Sequence, residues 1–92
     1  MKDLSIVTDS DLKNFYQTIS HNVKQKRVER KKPQLDLVLE MGMKSTAFYS
    51  RCENCKDNHH FNLEHIYKIA SVLDIEICEL FEGVKTKSNS AK

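Results

Sequence analysis

Apolar residues recur along the chain at helical spacing. Leu12, Phe15, Ile19 and Val23 lie three, four and four residues apart, which makes one stripe of an α-helix. Thr8 or Asp9 caps its start, with Asp11 favourable in the first turn, and the helix is expected to run to about Arg30. Pro33 disfavours helical geometry at Lys32 and suits the first turn of a second helix. That helix, "PQLDLVLEM", turns Leu37, Val38 and Met41 inward, and Gly42 follows where a left-handed C-cap is common. After a short turn at Met43 and Lys44, Ser45 caps a third helix, "TAFYSRCEN". "CKDNHH" reads as a polar loop. Asn62 caps the fourth helix, and Phe61 before it meets Ile66 as a hydrophobic staple. Its inward stripe is Leu63, Ile66, Ile69 or Ala70, and Leu73. A short last helix, "ICELFE", tucks Ile77, Leu80 and Phe81 inward, and Gly83 stops it. Residues 1–8 are expected to form an arm that either packs on a partner subunit or frays. The polar tail 84–92 is expected to be disordered. The pattern therefore predicts an all-α domain of five helices over residues 9–83, with no internal repeat.

The composition agrees. Ninety-two residues make one domain with one modest core. Two Gly and one Pro are too few for an all-β chain full of tight turns. The apolar runs are too short to span a membrane or to form a signal peptide, so the expected location is the cytoplasm. Three Cys without a secretory signal imply reduced thiols rather than a disulfide framework. The net charge of +2 hides an asymmetry: in "KQKRVERKK" six of nine residues are basic. From Glu64 to Glu82 the balance reverses, with Glu64, Asp74, Glu76, Glu79 and Glu82 facing only Lys68. Such a division suits one face for an anionic polymer, or else a solvated helix surface.

"RCENCKDNHH" offers Cys52 and Cys55, then His59 and His60, and so imitates half of a zinc finger. A structural zinc site takes four ligands, commonly in two pairs separated by a dozen or so residues. Here all four candidates crowd into nine residues, and adjacent histidines chelate one ion poorly. The expected protein is metal-free and carries no cofactor. Nor does any nucleophile elbow, oxyanion loop or Gly-rich phosphate cradle accompany the Cys and His residues. Catalysis is not expected.

The second and third helices, joined by a short turn around a Gly, make a helix-turn-helix arrangement. Residues 19–81 resemble the XRE-type, phage repressor/Cro-like DNA-binding domains. Arg27 falls where that family has an Arg late in its first helix, and Gln34 where a Gln opens the second. Leu37 and Val38 match a core pair, Gly42 the turn glycine, and "SRCEN" the end of the recognition helix. "LEHIYKIASVLDIEICELF" is similar to the family's fourth and fifth helices. The sequence departs from the pattern in "GMKS", which carries one extra turn residue, at Lys26, where an apolar residue is common, at Lys31, Lys32 and Pro33, and at Cys55, where a Gly is usual.

The resemblance implies a lambda-repressor-like five-helix bundle whose third helix enters the major groove of duplex DNA. With Ser45 as cap, Thr46, Ala47, Ser50 and Arg51 face outward as base contacts. Arg51 suits a guanine, and Thr46 and Ala47 a thymine methyl. Gln34, Lys31, Lys32, Lys44, Ser45 and Lys56 suit phosphates. Tyr49 and Cys52 face the core, and the extra turn residue leaves Phe48 as the alternative inward residue. The implied function is sequence-specific transcriptional regulation, most simply repression, by a homodimer on an inverted repeat. Its interface lies at residues 1–8 or on the last helix. The alternative is a protein-interaction module, such as the antitoxin of a toxin–antitoxin pair.

Overall fold

The computed structural model describes residues 6–86, and its secondary structure there is entirely helical. Four α-helices, α1 (Asp9–Glu29), α2 (Gln34–Met41), α3 (Thr46–Glu53) and α4 (Leu63–Leu73), are joined by short connections. Two 3-10 helices, Lys56–Asn58 and Ile77–Phe81, complete the described chain. The last helix expected from the sequence is therefore a five-residue 3-10 helix. No helix among the described residues is long and apolar enough to cross a membrane.

Local chemistry sets the ends of these helices. Thr8 Oγ1 accepts from the Asp11 N–H (3.1 Å), and the Asp11 carboxylate accepts from the Thr8 N–H (2.8 Å). This capping box satisfies donors that the first turn leaves open. Asn62 and His65 do the same for α4, with the imidazole Nδ1 in place of a carboxylate. Three helices end alike, in the closure that pairs the last orphan carbonyls across a left-handed residue. In α2 that residue is Gly42, at φ +77°, and the Met43 N–H reaches Val38 O (3.0 Å). Lys31 (φ +55°) and Asp74 (φ +55°) play the same part after α1 and α4.

The core lies between α1, α2, α3 and α4, and the C-terminal 3-10 helix packs against α1 and α4. Ile19 and Val23 of α1 meet Leu37, Val38 and Met41 of α2 there. Tyr49 and Cys52 come from α3, Ile66, Ile69, Ala70 and Leu73 from α4, with Phe61 and Leu80 beside them. Both residues of the expected Phe61–Ile66 staple are buried, and Ile69 and Ala70 are both inward.

Three expected core residues are not in the core. Leu12 is 45% exposed because it borders an open groove between the start of α1 and residues 55–60. Leu63 is 79% exposed. It stands at the first position of α4, about 70° around the helix from the centre of the buried stripe. Ile77, first in its 3-10 helix, is 44% exposed. Conversely Val84, assigned by sequence to the disordered tail, packs against the core, and its N–H donates to Phe81 O (3.0 Å). Ile6 and Val7 of the expected arm are exposed, while the expectations for residues 1–5 and 87–92 lie outside the described residues.

Candidate nucleic-acid interface

The centre of the candidate site is α3. Its start is fixed by Ser45, whose hydroxyl accepts from the Phe48 N–H at 3.0 Å. Its inner side carries Tyr49 and Cys52, both at 0% exposure. Beside them sits Glu53, a carboxylate buried at 5% exposure.

Glu53 is held from three elements. Arg27 of α1 makes a two-pronged ion pair, Nε to Oε2 at 2.9 Å and Nη2 to Oε1 at 3.0 Å. Gln34 of α2 donates Nε2–H to Oε1 (3.0 Å), and the Tyr49 hydroxyl donates to Oε2 (2.7 Å). Burial alone would raise the carboxyl's pKa. The hydrogen bonds from Arg27, Tyr49 and Gln34, with the guanidinium charge, outweigh it and hold the pKa below the usual carboxylate range. Burial, and then the bonded carboxylate, push the Tyr49 phenol far above its ordinary value. Arg27 closes the corner between α1 and α2 as well, donating Nη1–H to Lys32 O (3.0 Å). One buried charge thus fixes α3 relative to α1 and α2.

The opposite side of α3 faces outward. Ala47 and Arg51 are exposed, and Thr46 and Ser50 are partly so. Arg51 makes no ion pair among the described residues; Glu53, two residues away, is taken by Arg27. The Asn54 amide donates to Ser50 O (3.0 Å) and lies 3.4 Å from Ser50 Oγ, which restrains that side chain. Phe48 is neither fully inward nor fully exposed. It is half-buried, with the rings of His59 and His65 edge-on to it at 5.4 and 6.1 Å between centroids. Burial lowers the pKa of His65, in keeping with a neutral ring whose Nδ1 accepts the Asn62 N–H.

The phosphate candidates divide into two groups. Lys31, Lys44 and Lys56 are exposed and unpaired by any acid among the described residues. Lys32 and Gln34 are committed inside the chain, Lys32 to the Glu40 carboxylate and Gln34 to Glu53. Ser45 is exposed, but its oxygen serves as the cap of α3.

The fold gives the members of the zinc-like run separate partners. Cys52 is in the core, the Cys55 thiol donates to Ser20 Oγ (3.3 Å), and His60 stacks on Tyr16 at 3.7 Å between centroids. His59 turns to Phe48. Among the described residues no three His, Cys, Asp or Glu side chains converge as a metal site.

Sequence reasoning missed Glu53 and its link to Arg27, 26 residues away. The available signal was the Arg late in the first helix: a cation on a flank that packs against other helices needs a buried acceptor. No family model matches this chain, and no curated protein or solved structure is significantly similar to it.

Proposed function

We propose that the protein is a sequence-specific duplex-DNA-binding regulator that uses α2 and α3 as a helix-turn-helix, with α3 in the major groove. The observation that carries this reading is the two-sidedness of α3. Its inner side is clamped to α1 and α2 through Glu53, while Ala47 and an unpaired Arg51 stand free on the outer side. A helix held rigidly on one side and bare on the other suits insertion into a groove about 12 Å wide. Arg51 provides a two-pronged donor for guanine O6 and N7, and Ala47 a small apolar contact for a thymine methyl. Thr46 and Ser50 flank them. Lys31, Lys44 and Lys56 supply the sequence-independent attraction to phosphates.

A single such helix reads only a few base pairs, so the reading includes a homodimer on an inverted repeat, its half-sites about one helical turn apart. The test is selection from a random duplex library at moderate salt, followed by sequencing. An enriched inverted repeat, lost on Arg51→Ala with the helical content intact, is the expected result. Retention without sequence enrichment, equal for the parent and R51A, would refute it.

One observation favours a second reading, that of a protein-binding module such as an antitoxin. Leu35 and Leu39 of α2, four apart, are 55% and 65% exposed, and Leu63 and Tyr67 of α4, also four apart, are 79% and 69% exposed. Apolar pairs at that spacing suit a helical partner. Copurification of a stoichiometric partner from the native host, together with failure of the DNA selection, would establish this reading over the first.

A further inference from the structure

The sequence places two thiols three residues apart at the end of α3, and the fold gives them opposite surroundings. Cys52 is fully buried in the core. Cys55 is half-buried and opens on a groove of about 480 Å³ that Leu12, Lys13, Tyr16, His59 and His60 also line. The Cys55 N–H donates to Cys52 O at 3.2 Å, which closes a single turn. A closed turn of four residues holds its end Cα atoms within roughly 7 Å, overlapping the span of roughly 4.4–6.8 Å that a disulfide bridges.

Ser20 of α1 ties the turn together. Its hydroxyl donates to Cys52 O (2.9 Å) and accepts from the Cys55 thiol (3.3 Å), which holds that thiol at the inner edge of the groove, beside Cys52. Cys55 has φ +52°, a conformation that a β-carbon disfavours and a glycine would adopt freely. The third thiol, Cys78, is exposed on the C-terminal 3-10 helix, outside this turn.

We propose that Cys55 and Cys52 form a hydroperoxide-responsive thiol pair, in which Cys55 reacts first and Cys52 resolves it as a reversible intramolecular disulfide. The Cys55 sulfur, as thiolate, attacks one oxygen of hydrogen peroxide. The O–O bond breaks, hydroxide leaves and takes up the thiol proton as water, and Cys55 becomes a sulfenic acid. The Cys52 sulfur then attacks the Cys55 sulfur. The S–S bond forms, the S–O bond breaks, and the departing hydroxide takes the Cys52 proton to give a second water. Two thiols lose two electrons, and the peroxide gains them.

The surroundings divide the labour. Burial, with the neighbouring Cys55 adding to it, pushes the Cys52 thiol up to about 11, so Cys52 keeps its proton until the hydroxide leaving Cys55 takes it, and at 0% exposure it is out of reach of solvent oxidant. It needs to meet only Cys55. The bond would sit one residue from Arg51 and would enclose Glu53, so oxidation acts on the turn that anchors α3.

The experiment uses the full chain carrying Cys78→Ser, treated with a slight excess of hydrogen peroxide and followed by intact mass. The expected product has lost two hydrogens, shows no free thiol after denaturation, and returns to the starting mass with dithiothreitol. With Cys52→Ala added, Cys55 should instead persist as a sulfenic acid that a cyclic 1,3-diketone traps. With Cys55→Ala added, the chain should stay reduced over the same period. Addition of oxygen without loss of two hydrogens, disulfide-linked dimers, an unreacted parent, or oxidation of C55A as fast as the parent would each overturn the proposal. None of these readouts involves DNA, so the thiol pair and the DNA reading stand or fall separately.

Discussion

Glu53 keeps a negative charge at 5% exposure and receives hydrogen bonds from Arg27, Gln34 and Tyr49. Removing one member of a buried ion pair strands the other, at a cost of about 3–5 kcal/mol. Glu53→Ala should therefore lower the urea midpoint by the equivalent of that amount, and an unchanged midpoint would mean that Arg27 finds another acceptor. The pH dependence follows from the same bonds. The folded carboxyl titrates below its ordinary value of 4.5, so its contribution is complete above that pH and fades as the pH falls through the lower, folded value. Glu53→Gln should flatten the acid side of a stability–pH profile. Tyr49 acts at the other end. Its phenol is raised above the ordinary 10.0, so its contribution is complete below pH 10.0 and is lost as the pH rises toward the folded value. Tyr49→Phe should cost about 1.5–3 kcal/mol at neutral pH, as expected for a hydrogen bond to a charged group, and should remove the corresponding part of the alkaline loss. Tyr49 and Cys52 were legible in the sequence because apolar side chains three apart on a short helix mark its inner side. Glu53 was not, because periodicity locates apolar residues only. The Arg late in the first helix calls for an acceptor, but nothing along the chain says which acid, 26 residues later, supplies it.

Helix ends show the same division between what the chain spells out and what packing decides. Thr8, Ser45 and Asn62 have short polar side chains that accept backbone N–H groups, and each is a cap in the structure. Gly42 is legible for the complementary reason, since left-handed backbone favours glycine. Lys31 and Cys55 adopt that conformation with residue types that do not announce it, and Asp74 with one that tolerates it. A β-carbon built on Gly42 would meet nothing within 4 Å. The cost of Gly42→Ala is then backbone strain alone, about 1–2 kcal/mol, and Gly42→Asn should cost less because asparagine tolerates the conformation. Thermal unfolding of the two variants checks this order, and equal losses would point to a steric cause. Ser45→Ala should cost about 1 kcal/mol by leaving the Phe48 N–H without its acceptor. The exposed Leu12, Leu63 and Ile77 mark where periodicity overreaches. All three stand in the first turn of their elements, where a residue has the right helical phase or nearly so but neighbouring elements do not reach it.

Over the whole molecule, the contrast between a basic first half and an acidic second half is partly cancelled by folding. Lys26 pairs with Glu79 across the packing of α1 on the C-terminal 3-10 helix (3.2 Å), whereas Arg30 donates only to the uncharged Asp74 carbonyl (3.3 Å). Arg27 is spent on Glu53 and Lys32 on Glu40. Lys24, Arg30 and Lys31 of the six basic residues in 24–32 keep no acidic partner among the described residues. The sequence showed the charge run but not this internal neutralisation, which depends on pairs far apart along the chain. It follows that half of the basic run is taken up inside the fold, and DNA attraction is expected to rest on Lys31, Lys44, Arg51 and Lys56. Four phosphate or groove contacts per protomer would give a log–log slope of affinity against salt of about three to four for each half-site. On a selected inverted repeat, Lys44→Ala should reduce that slope by about one per protomer. Lys32→Ala should leave it nearly unchanged, because its ammonium already has a counter-ion in Glu40. Equal losses for the two variants would show that the Lys32–Glu40 pair opens on DNA, and a slope near zero for the parent would remove the phosphate contacts, and with them the DNA-binding reading.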